Sequence, residues 1–172
     1  MIHYFAYGSN LHPIRLLHRV PSARLIGLAN LDRHRLTFHK RSHDGSSKCN
    51  IFETGKASDT VHGAIYEIAS EHRSDLDRFE GKGFGYTDSQ IRLNYQEEEY
   101  LCFTYFAQQS HIEANLKPYH WYKEMVLLGA RHLSFPDEYV SSINFIDSIE
   151  DPESNRRMVN EELLEKMRNY RS

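Results

Sequence analysis

At 172 residues, 40% apolar and 26% charged, with a formal net charge of −3, the chain has the make-up of a soluble protein with one sizeable core. No run approaches the ~18 apolar residues that a membrane span needs, and the slightly acidic balance speaks against nucleic acid as a partner. Cys49 and Cys102 are the only cysteines and share no close spacing; a zinc site and a disulfide framework therefore lack support, one disulfide between the pair stays open, and a reducing cytoplasm is the expected compartment.

The opening MIHYFAYG has no basic run leading into an apolar segment, so no secretory leader is expected. Residues 2–7 alternate loosely and are rich in aromatic groups, as a strand is. Pro13 suits the first position of a short helix, with Ile14, Leu17 and Val20 as its apolar side and Pro21 as its limit. Residues 23–29 and 33–39 read as strands broken near Asn30 to Asp32, and 42–47 as a turn or loop. VHGAIYEI, 61–68, is a clear strand. The period then changes: Leu76 and Phe79 lie three apart, and Gly81 stands where it stops a helix.

After a glycine-rich loop, YTDSQIRL and EYLCFTYFA read as two strands joined through NYQEEE. The final third is helical in pattern. Tyr119, Tyr122 and Met125 to Leu128 mark one helix; Pro136-Asp137 opens a second that packs Tyr139, Val140 and Ile143. A third runs from about Glu153 to Arg168, with Val159, Leu163 and Met167 on its core side. Six or seven strands followed by helices, with no repeat or linker, predict one α+β domain over 1–172: a small mixed, mostly antiparallel β-barrel flanked by helices.

Arg33, Arg35, Lys40, Arg41 and Lys48 make one stretch basic. Such a stretch suits phosphate or RNA, and equally a solvated hairpin whose charges keep an edge strand soluble; the second reading is preferred. The histidines show no HExxH and no third ligand at a telling interval, so no metal is expected. There is no GxSxG, Ser9 has no adjacent base, and GKGFG at 81–85 lacks the closing GKS or GKT of a phosphate loop.

Two places remain for chemistry. Tyr7-Gly8-Ser9-Asn10 ends the first strand, where successive N–H groups can converge on a carboxylate or an oxyanion; a plain turn capped by Ser9 or Asn10 accounts for the same residues. Glu80 ends a helix, at the negative end of its dipole. In a pocket lined by Phe79, Phe84 and Tyr86, desolvation would favour the neutral carboxyl and suit it to proton transfer. As a surface residue of a charged run it would do nothing.

FAYGSNL at 5–11, PSARL at 21–25, VHGAIYEI at 61–68, LDRFEG at 76–81, GFGY at 83–86 and GARHLSFPDEYVSSI at 129–143 together resemble the gamma-glutamylcyclotransferase family, in family order. The resemblance implies a small barrel with helices and a cofactor-free, metal-free enzyme. Its small substrate is a gamma-glutamyl compound, from which 5-oxoproline is released. It implies Glu80 as the catalytic acid/base and Tyr7, Gly8, Ser9, Asn10, Leu11 and Tyr86 as substrate-binding. Ser47-Lys48-Cys49-Asn50 departs from the Trp-His-Gly-Gly-like run of the family, which bears on substrate preference and leaves a gamma-glutamylamine substrate open. A non-catalytic ligand-binding domain on the same scaffold is the rival class. Neither nucleic acid nor membrane is implied as a partner, and a homodimer is left open.

Overall fold

The computed structural model describes residues 1–170. Its frame is a five-stranded mixed sheet with β2 (Arg24–Asp32), β5 (Thr60–Ile68), β1 (Ile2–Ala6), β7 (Glu98–Ala107) and β6 (Tyr86–Tyr95) in that spatial order. Only β1 and β7 run parallel; the other neighbours are antiparallel. A separate hairpin of β3 (His34–Arg41) and β4 (Ser47–Glu53) leans on the sheet, where Asn50 Oδ1 accepts from the Ala107 N–H at 2.7 Å. The sheet curls into a half-barrel. At its closing side the Tyr95 ring lies where a side chain on Gly27 would be, 2.3 Å from an added methyl carbon, an aromatic ring covering a strand glycine.

Three boundaries differ from the expectations, each because tertiary pairing overrides local turn propensity. Asn30, Leu31 and Asp32 do not break a strand but pair with His62, Val61 and Thr60; the reversal falls on Arg33, at φ 61°. Residues 47–53, which gave no strand signal, form β4 because they pair with β3. The connection between β6 and β7 shrinks to Gln96 and Glu97, both at positive φ, the backbone of a tight hairpin turn.

The helices pack around this frame. In α1 (Pro13–Arg19) the buried residue is Leu16, with Val20 just beyond, while Leu17 is exposed; this turns Arg15 and Arg19, four apart, onto a common face. α2 (Arg73–Glu80) ends at Gly81, whose φ of 67° is the left-handed stop that glycine allows. α3 (His120–His132) lies so close to the turn after β1 that a methyl on Gly129 would meet Leu11 Cβ at 2.6 Å. α4 (Asp137–Asn144) buries Ile143. α5 (Ser154–Arg168) buries Leu163, Leu164 and Met167, whereas Val159 is exposed, because the helix meets the core only with its second half. Its start is locked by Asp151, which accepts from the Arg156 guanidinium and from Trp121 Nε1 at 2.9 Å, tying α5 to α3.

His12 caps α1, its Nδ1 accepting from the Ile14 N–H at 3.3 Å, and its ring is buried against His132. Burial, and then the His132 neighbour, bring its pKa down from 6.5 to about 4. In this window the unfolded chain binds the proton and the folded one does not. The contribution of His12 to stability is therefore full above about 6.5 and is lost as pH falls towards about 4. Urea midpoints at pH 7 and pH 5 are expected to differ, and His12→Asn, which keeps a capping acceptor, to flatten that difference.

Candidate active site

Glu80 reaches from the last turn of α2 to the turn after β1. Its Oε1 accepts from Asn10 Nδ2 at 2.9 Å and from Arg19 Nη1 at 2.7 Å, and its side chain is only 17% exposed. Arg19 Nη1 also donates to Asn10 Oδ1 at 3.0 Å, closing a triangle of three side chains. Both bonds to the carboxylate fall on one oxygen; Oε2 has no hydrogen-bond partner among the described residues. An anchored carboxylate with one free oxygen is suited to holding and passing a proton.

The turn itself forms because β1 stops at Ala6 and a single helical turn, Ser9–Leu11, follows, with the Leu11 N–H bonded to Gly8 O at 3.0 Å. The N–H groups that open such a turn have no acceptor within it. Gly8 sits tightly against the hairpin: a methyl there would lie 3.1 Å from Cys49 Cβ.

Tyr4, Tyr7, Tyr86, Tyr105 and Tyr122 wall a small cavity with Glu80 and Cys49, of about 20 Å³ and so only a few atoms wide. The tyrosine hydroxyls are already engaged. Tyr7 donates to Tyr105 O at 2.6 Å, Tyr86 to Cys49 O, and Tyr122 accepts from the Cys49 N–H at 3.0 Å. Burial raises the pKa of Tyr7, Tyr86 and Tyr122 far above the ordinary value, so they stay neutral. Burial likewise pushes the Cys49 thiol up to about 12, which removes the thiolate that a nucleophilic cysteine requires. Ser9, Glu80, Tyr86 and Tyr122 line both this cavity and an outer cleft of about 240 Å³.

The expected site residues are thus partly gathered. Tyr7, Gly8, Ser9, Asn10, Glu80 and Tyr86 line the inner cavity. Leu11 does not: its side chain is wholly buried against α3, and its carbonyl accepts from Tyr66 at 2.7 Å, so it anchors the turn from behind. Asn10 is spent on Glu80, Tyr4 and Arg19. Of the aromatic enclosure expected for Glu80, Tyr86 lines the inner cavity, whereas Phe79 and Phe84 are 48% and 70% exposed and border only the outer cleft; the carboxylate is ion-paired with Arg19 besides. The basic stretch is not all solvated either, since Lys40 is buried and faces that cleft. Arg19 was missed, and its one visible signal was its four-residue spacing from Arg15 directly after the turn. Among the described residues no group of three or more His, Cys, Asp or Glu is placed to hold a metal, and no helix is long and apolar enough to cross a membrane.

A family model described as AIG2-like matches residues 60–143. Gamma-glutamylcyclotransferase of Bos taurus is 31% identical over 167 residues, spanning 93% of this chain and 84% of the bovine protein. That of Mus musculus is 30% identical, spanning 84% of this chain and 78% of the mouse protein. A solved gamma-glutamyl cyclotransferase superposes with a TM-score of 0.82 at 26% identity, covering 96% of this chain and 98% of its own.

Proposed function

Because the chain belongs to the gamma-glutamylcyclotransferase family, we propose that it is a cyclotransferase that releases 5-oxoproline from gamma-glutamyl amino acids, with Glu80 as the one proton carrier. The observation that supports this most directly is the Glu80 carboxylate, fixed by Arg19 and Asn10 through Oε1 and free at Oε2, beside the turn after β1.

The reaction needs little else from the protein. The substrate's own alpha-amine attacks its gamma-amide carbonyl; one C–N bond closes the five-membered lactam and another breaks to release the amino acid. Because attack is intramolecular, proximity supplies much of the gain and no enzyme nucleophile is required. The attacking nitrogen must lose a proton and the departing nitrogen must gain one. Glu80 Oε2 takes the first and returns it to the second, so protons balance within one cycle. The Ser9 and Asn10 N–H groups that open the turn offer donors to the carbonyl oxygen as charge develops on it.

The test is incubation with gamma-glutamyl amino acids, gamma-glutamylamines and glutathione, followed by detection of 5-oxoproline. Product from the first group supports the reading, and no product from any overturns it. Ser9→Ala separates this from acyl-enzyme chemistry. We expect turnover to persist, lowered by no more than about 10-fold, without a burst or covalent adduct in the mass spectrum. A nucleophilic serine would leave essentially none.

A further inference from the structure

The outer cleft carries more positive charge than its own carboxylates neutralise. Arg19 is paired with Glu80, Lys48 with Asp44 at 2.8 Å, and Arg78 with Asp75 at 2.9 Å. Arg15 and Lys40 are the exceptions. Among the described residues Arg15 Nε is buried with no hydrogen-bond partner, and neither residue is in an ion pair with any described carboxylate. Lys40 is 5% exposed, with Nζ held 4.5 Å from the centre of the Tyr86 ring. It passes where a side chain on Gly85, at φ 120°, would collide, 2.7 Å from Lys40 Cε.

Unsatisfied buried donors in a native protein call for an acceptor. Arg15 Nε is such a donor, and Lys40, in no ion pair with a described carboxylate, adds a second positive charge to the same cleft; together they call for an anion. Both line the outer cleft and neither lines the inner cavity. With the glutamyl group at the turn after β1 and the scissile amide at Glu80, the part of the substrate that reaches them is the departing one. Burial and the neighbouring Arg19 bring Arg15 down to about 9, so it is still charged at neutral pH and a bound carboxylate relieves that burial.

We propose that Arg15 and Lys40 form an anion subsite that takes the carboxylate of the leaving amino acid, and that this subsite makes the protein select gamma-glutamyl amino acids over gamma-glutamylamines. The proposal rests on the cyclotransferase reading above and deepens it.

The test measures binding apart from turnover. In a Glu80→Gln background, gamma-glutamyl-alanine and gamma-glutamyl-ethylamide, which differ by that carboxylate, are titrated by calorimetry. The alanine compound is expected to bind about 10- to 100-fold tighter, the scale of a charge-assisted contact. Adding Arg15→Gln is expected to bring the two within about threefold by weakening the alanine compound alone, and Arg15→Lys to restore part of the difference. Lys40→Met is read the same way if Arg15→Gln melts early. Equal affinities before the Arg15 change, no binding of either compound, or equal weakening of both after it would overturn the subsite. Equal weakening would assign the cations to the glutamyl carboxylate instead. Failure of the unmodified protein to form 5-oxoproline from either compound would sink the proposed reaction while leaving the titrations readable.

Discussion

Glu80→Gln is expected to lower kcat by about 100-fold or more, the usual scale for a positioned proton-transfer group. The amide keeps the length and an oxygen that can still accept from Asn10 Nδ2 and Arg19 Nη1, now 2.9 and 2.7 Å away. The triangle thus survives in shape while its free corner can no longer take a proton. The experiment pairs steady-state 5-oxoproline formation with a thermal melt. A folded variant with KM within a few-fold of the parent and kcat collapsed is the expected pattern. A kcat near the parent's would remove Glu80 from the mechanism. Arg19→Met makes a graded comparison: the base is kept and its support lost, so a smaller fall in kcat, of about 10-fold, is expected.

Gly63→Ala is expected to be the most damaging single methyl in the sheet. Its Cβ would sit 2.3 Å from the Phe5 ring and 2.6 Å from the Ala6 carbonyl oxygen. The ring can turn, but the carbonyl belongs to the backbone of β1 and can move only with its strand. Overpacking of this kind costs about 1–3 kcal/mol and more when backbone must shift, so a loss of about 3 kcal/mol is expected from urea denaturation. Ala6 leads directly into Tyr7-Gly8, so residual activity is expected to fall as well, even at temperatures where the variant is folded. A midpoint unchanged from the parent would show that β1 gives way more easily than its burial implies.

Much of the architecture was legible because it is local. The strand at 61–68, the glycine stop at Gly81 and the proline start of α1 follow from short-range rules and appear where those rules put them. What failed to show was whatever depends on a distant partner. β4 has no pattern of its own and exists through β3. Arg19 meets Glu80 across 61 positions of sequence, and no window along the chain joins them. Tyr4, Tyr105 and Tyr122 read as ordinary core aromatics, since period and burial are the same whether a ring faces packed side chains or a cavity. Leu11 shows the converse: a residue inside a motif whose neighbours face the cavity, yet itself turned wholly inward.

The place of β1 in the sheet also sets when the candidate site can assemble. Its partners are β5 and β7, which bring Ile65 opposite Phe5 and Phe103 beside Tyr4. As the polypeptide grows on the ribosome, the first strand must wait, unpaired on one side, until about a hundred further residues have been made. Such distant pairing is slow and leaves apolar edges open to other chains. The nascent amino-terminal third is therefore the segment a chaperone would have most reason to shelter.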